Sequence, residues 1–203
     1  MIAEINGISL ELETNSEIFS PSAADRGTLA MLSQINLSST DKVLDLGCGC
    51  GIVGIYAAML IGADRVVMTD VSPVAVFTAK KNAVHNNVSG VKICLGNCYE
   101  NVEDRDFTLI LSNPPYHTDF SVAKEFIEGG FKKLVSGGKM VMVTKRLDWY
   151  KNKLAAVFGG ARVSEIDGYF VFVAEKKWEK RKKAVKQVKG LSKKLARKYN
   201  RKK

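Results

Sequence analysis

The feature that most constrains this chain is a regular alternation of short apolar segments with stretches of helical spacing, closed by a connection too short to hold a helix. Candidate strands lie at 43–46, 65–69, 91–95, 107–111 and 139–144, and helical stretches at 52–60, 73–86, 121–135 and 149–158. Strands alternating with helices build a parallel sheet with helices on both faces, so the expected class is α/β. The ending differs. Asp167-Gly168 joins the segments Arg162–Ile166 and Tyr169–Ala174 too tightly for a helical crossover, and those two must pair antiparallel. Ahead of the alternation, Asn6-Gly7 is a two-residue hairpin turn between apolar alternations, and residues 25–35 have helical spacing.

Charge is distributed unevenly. Of 31 Lys and Arg, 15 fall in residues 175–203 together with only 2 of the 21 acidic residues. Residues 1–174 therefore read as one mildly acidic domain, and 175–203 as a basic tail able to grip RNA phosphate. Residues 52–63 are nearly apolar but are interrupted by Gly54 and Gly62 and are too short to span a bilayer. No basic region leads into an apolar run at the N-terminus, so a cytoplasmic protein without a membrane partner is expected. Nothing in the sequence specifies an oligomeric state. The cysteines, Cys48, Cys50, Cys94 and Cys98, lack the two-residue gap of zinc knuckles, and no metal is expected.

The run Val43-Leu44-Asp45-Leu46-Gly47-Cys48-Gly49-Cys50-Gly51 turns a buried strand into a helix through glycines that let a ligand approach the backbone. From Gly49 the loop also fits the dinucleotide pattern Gly-x-Gly-x-x-Gly, with Asp70 about twenty residues on. Asp45 favours a different ligand. A carboxylate at this turn repels pyrophosphate and attracts a cation, and S-adenosylmethionine carries an ammonium and a sulfonium without phosphate. Asp45, Gly47, Gly49 and Gly51 are thus cofactor candidates. Asp70 ends the second strand at the sheet edge where open α/β folds bind ligands, ahead of the helix start Ser72-Pro73, and can accept from both ribose hydroxyls.

After the fourth strand comes Ser112-Asn113-Pro114-Pro115-Tyr116-His117. Two prolines remove two backbone donors and stiffen the chain into an acceptor cradle. The Asn113 side-chain oxygen and the Pro114 carbonyl can bind both hydrogens of an amino group and aim its lone pair at a methyl donor, while Tyr116 offers a ring for stacking. Asn113, Pro114 and Tyr116 are the catalytic candidates, and Asn113 is also counted with the cofactor site. His117 is a candidate substrate contact.

The alternation with its antiparallel ending, Asp-x-Gly-x-Gly-x-Gly and Asn-Pro-Pro-Tyr together resemble class I S-adenosylmethionine-dependent methyltransferases. That resemblance implies a Rossmann-like, seven-stranded methyltransferase sheet with an antiparallel C-terminal hairpin, beside the N-terminal β-hairpin and the basic C-terminal tail. It also puts Asn97 where the family has an Asp facing the adenine. Phe19-Ser20 and Asp25-Arg26-Gly27-Thr28 ahead of the loop, with Gly168-Tyr169-Phe170 near the end, narrow the likeness over residues 18–174. They resemble the small-domain methyltransferases that include the guanine-N2 enzymes of ribosomal RNA. In that family the Phe-Ser and Asp-x-Gly-Thr stretch lines the active site, so the resemblance adds Phe19, Asp25 and Thr28 to Tyr116 and His117 as substrate-binding candidates. The implied activity is methylation of an exocyclic amino nitrogen in RNA, guanine N2 of ribosomal RNA foremost. Tyr116 stands where guanine-N2 enzymes commonly have Phe, which leaves adenine N6, or glutamine N5 of a protein, open. A non-catalytic RNA-binding module is the reading from another class.

Overall fold

A computed structural model describes residues 1–14, 25–115 and 120–177. The Asn6-Gly7 turn, with both residues at positive φ, pairs β1 (Ile2–Ile5) antiparallel with β2 (Ile8–Glu11) in a separate two-stranded sheet. The seven remaining strands form one sheet. In chain order they are β3 (Val43–Leu46), β4 (Val66–Asp70), β5 (Lys92–Leu95), β6 (Phe107–Ser112), β7 (Leu134–Thr144), β8 (Arg162–Ile166) and β9 (Tyr169–Glu175), and their spatial order is β5-β4-β3-β6-β7-β9-β8. The first five run parallel, and β9 lies antiparallel between β7 and β8. The order reverses at β3, which places a ligand crevice at the carboxyl ends of β3 and its neighbours.

The helices are α1 (Arg26–Leu32), α2 (Ile52–Ile61), α3 (Pro73–His85), α4 (Phe120–Lys133) and α5 (Asp148–Phe158). Central strands are buried on both faces, and successive residues feed two cores. Val43, Leu109, Leu111, Val141 and Val143 pack with α1, α2, α3 and the N-terminal hairpin, whereas Leu44, Leu46, Ile110, Met140 and Met142 pack with α4 and α5. No helix among the described residues is long and apolar enough to cross a membrane.

The α4–β7 junction departs from the sequence expectation. The helix ends at Lys133 and the strand begins at Leu134, several residues before the anticipated 139. Gly137 N–H donates to Lys176 O at 2.7 Å and Lys176 N–H to Gly138 O at 2.9 Å, so the glycine pair is a paired irregularity of the strand rather than a loop. The partner strand thus continues past Ala174, and pairing runs through Lys176. The rest of the anticipated tail, 178–203, lies outside the described residues.

A buried polar residue fastens the hairpin to the sheet. Asn82 on α3 is fully buried; its side-chain oxygen accepts from Glu13 N–H at 2.7 Å, and its amide nitrogen donates to Glu13 O at 2.9 Å and Cys50 O at 2.8 Å. One turn on, Asn86 makes the same two-way contact with the backbone of Glu11.

Candidate functional site

A cleft of about 430 Å³ opens at the carboxyl ends of β3, β4, β5 and β6. Its floor is the glycine loop. Gly47 and Gly51 have φ of +76° and +93°, a region that side-chain-bearing residues rarely adopt, and a Cβ on Gly51 would meet the Met68 side chain at 2.8 Å. Gly51 begins α2 without a capping side chain, and Asp45 takes over that role: its Oδ2 accepts from Gly54 N–H at 2.9 Å.

Asp45 is buried, and burial, opposed by the Gly54 N–H and reinforced by the charge of Asp70, raises its carboxyl pKa to about 7. A cation in the cleft would favour the ionised form. Because the folded state holds this proton more tightly than the unfolded chain, stability from Asp45 is present at low pH. It falls as pH rises from about 4 to about 7, on the order of a few kcal/mol, and is flat above. Urea denaturation of the wild type and Asp45→Asn at pH 5 and pH 8 is expected to show a pH-dependent difference between the two. Parallel pH profiles would contradict it.

Asp70 ends β4 with each oxygen anchored: Oδ2 accepts from Gly49 N–H and Oδ1 from Ser72 N–H, both at 2.9 Å. Each carboxylate oxygen keeps a second lone pair for a ligand hydroxyl. Asn97 also lines the cleft; its side-chain oxygen accepts from the Cys98 thiol at 3.3 Å. Partial burial, then the hydrogen bond and charge of Glu125, push the Cys98 thiol up to about 12, so it acts as a donor. Cys48 and Cys50 line the glycine loop as free, buried thiols, and among the described residues no group of His, Cys, Asp and Glu could hold a metal ion.

Asn113, Pro114 and Pro115 follow β6 at the cleft wall. The Asn113 amide nitrogen donates to Asp25 Oδ2 at 2.7 Å and to Thr28 Oγ1 at 3.1 Å. Asp25 caps α1 through Thr28 N–H, and both residues line the cleft. The structure therefore gathers Asp45, Gly47, Gly49, Asp70, Asn97, Asn113, Pro114, Asp25 and Thr28 around one cavity, while Gly51 caps α2 and does not line it. Phe19, Tyr116 and His117 lie outside the described residues.

Several contributors were not singled out from sequence. Phe126 and Val122 of α4 also line the cleft. The Tyr169 hydroxyl lies 3.4 Å from Asp25 Oδ1; the residue stands in the Gly-Tyr-Phe stretch noted above, which carried no role for it. Thr69 Oγ1 is buried, borders the cleft, and is the buried side-chain polar atom without a partner among the described residues. A cleft lined by three carboxylates, Asp25, Asp45 and Asp70, with an unspent hydroxyl and an amide acceptor suits a cationic amino-acid nucleoside better than a phosphate.

The model of the methyltransferase small domain family matches residues 9–174. The ribosomal RNA small subunit methyltransferase C of Serratia proteamaculans is 32% identical over 165 residues, covering 79% of this chain and 47% of that protein. The ribosomal RNA large subunit methyltransferase G of Alteromonas mediterranea is 31% identical over 182 residues, covering 84% and 44%. Among solved structures, a 16S rRNA N2 methyltransferase of Thermus thermophilus in complex with AdoMet and guanosine superposes with a TM-score of 0.74 at 26% identity, covering 87% of this chain and 50% of that one. The chain spans about half the length of the curated relatives it matches.

Proposed function

Since this chain belongs to the methyltransferase small domain family, we propose that it transfers a methyl group from S-adenosylmethionine to an exocyclic amino nitrogen of ribosomal RNA, with guanine N2 as the acceptor. The observation that carries this reading is the orientation of Asn113: with its amide nitrogen committed to Asp25 and Thr28, its oxygen is left to receive an N–H from the cleft. The relatives' names and the guanosine bound in the Thermus thermophilus structure support a guanine.

When bound, S-adenosylmethionine supplies an electrophilic methyl on sulfur. Asp70 would take the ribose hydroxyls, Asn97 the adenine amino group, and Asp45 the positive charge of the methionine end. The residues facing the acceptor orient it. Asn113 Oδ1 and the Pro114 carbonyl accept its two amino hydrogens and hold the nitrogen so that its lone pair, perpendicular to the base plane, is aimed at the methyl. On transfer the acceptor nitrogen would take the methyl and release one proton to solvent, the carbon–sulfur electron pair remaining on the cofactor's sulfur. No strong base is required, because the nitrogen becomes acidic only as the methyl arrives. Digestion of methylated RNA to nucleosides tests the acceptor: N2-methylguanosine is expected, N6-methyladenosine overturns the choice of base, and methylated protein with unmodified RNA overturns the substrate class.

The 175–203 segment is assigned to RNA capture on its charge. Strand β9 runs away from the cleft and delivers Glu175 opposite Lys139, at the other edge of the sheet. A contact to phosphate made by charge serves affinity rather than chemistry. Removing residues 178–203 is expected to weaken RNA binding and flatten its salt dependence, with turnover at saturating RNA and cofactor affinity unchanged. An unaltered salt slope in filter binding would refute the assignment.

A further inference from the structure

Both hydrogens of the Asn113 amide are engaged, one on Asp25 Oδ2 and one on Thr28 Oγ1. An ionised carboxylate only accepts, so turning the amide over would set its oxygen against another oxygen. The orientation of Asn113 is therefore imposed from behind. Asp25 is itself held. Thr28 N–H donates to its Oδ2 at 3.0 Å, the Tyr169 hydroxyl reaches its Oδ1, and a Cβ on Gly27 would come within 2.8 Å of both the Asp25 carboxylate and the Tyr169 ring. That close packing joins the start of α1, the end of β6 and the start of β9, three points far apart in sequence.

Resting on the methyl-transfer reading above, we propose that Asp25 is a positioning residue. Anchored by the α1 cap and Tyr169, it fixes and polarises the Asn113 amide so that Oδ1 meets the acceptor nitrogen. A negative charge behind the amide nitrogen shifts electron density onto the amide oxygen. That oxygen faces a nitrogen that becomes positive only as the new bond forms, so the interaction is strongest in the transition state. Asp25 and Thr28 then act through Asn113 and need not touch the substrate. The effect belongs in kcat and leaves KM and cofactor affinity alone.

A double-mutant cycle on the full chain, with the RNA that the wild type methylates, tests this. Asp25→Ala is expected to lower kcat about 10- to 100-fold, and Asp25→Asn, which keeps an acceptor for the α1 cap but removes the charge, about 3- to 10-fold. KM for RNA and the Kd for S-adenosylmethionine stay within about twofold for both. In an Asn113→Ala background, Asp25→Ala and Asp25→Asn are expected to add nothing further, because the group they act on is gone. Losses that multiply with that of Asn113→Ala, or a fall confined to cofactor affinity, would overturn the positioning role. If Asp25→Ala does not fold, the Asp25→Asn arm of the cycle decides the question alone. Wild-type kcat in the Asp25 variants with an inactive Asn113→Ala overturns this proposal and leaves the functional reading standing. Full activity of Asn113→Ala on that RNA overturns this proposal and the catalytic role of Asn113, while the methyl-transfer reading stands or falls on the nucleoside digest.

Discussion

Replacing Asn113 with alanine is expected to lower kcat by roughly 100-fold or more while S-adenosylmethionine binds with unchanged affinity. The separation follows from the division of the cleft. Asp45 and Asp70 are fixed to the glycine loop and the β4 end by backbone amides of Gly54, Gly49 and Ser72, and none of these bonds involves Asn113. The substitution leaves that half intact and removes the side-chain oxygen proposed to orient the acceptor nitrogen. An amino group conjugated to a base has its lone pair delocalised, so an unaimed nitrogen attacks slowly even at full occupancy. Single-turnover methylation with calorimetric titration of the cofactor makes the comparison, and near-wild-type turnover on a verified substrate would end the catalytic assignment.

The second large effect is expected from Asp70→Ala, which should weaken S-adenosylmethionine binding by about 1.5 to 3 kcal/mol, the range for hydrogen bonds to a charged group. Part of that loss is indirect. The Asp70 carboxylate ties Gly49 N–H to the β4 end, and freeing it loosens the turn over which a ligand would lie. Asp70→Asn separates the two contributions in part: a carboxamide oxygen can still hold Gly49, while its nitrogen faces Ser72 N–H and accepts neither from that amide nor from a hydroxyl. Unchanged affinity in both variants, with the melting transition intact, would refute the ribose role.

Much of this architecture is local in origin and was therefore legible in the sequence. A buried strand running into Gly47 and Gly51 and then an apolar helix admits few backbone paths, and Asp167-Gly168 allows a single pairing of the strands it joins. The boundaries that moved depend on distant partners. Gly137 and Gly138 look like a loop until Lys176 is seen to pair with them across the sheet. The same holds at the cleft. Asp45, Asp70 and Asn113 sit at strand ends, where sequence position already implies spatial position. Asp25 and Thr28 entered only through a resemblance, and the bond between Tyr169 and Asp25 requires β9 to lie beside β7 with α1 packed across them, an outcome of topology that no local pattern encodes. Asn82 is a further case: in sequence it is one polar residue in a helix.

The double attachment of Asn82 makes the glycine loop and the N-terminal hairpin thermodynamic neighbours, although the amide they share is the side chain of a helix belonging to neither. Free-energy coupling between two sites is reciprocal. If a ligand's immobilisation of Cys50 steadies that amide, opening of the backbone at Glu13 is suppressed, and fraying there weakens the ligand by the same free energy. The hairpin contributes no strand to the main sheet, yet through this one amide the chain that follows it is tied to the glycine loop.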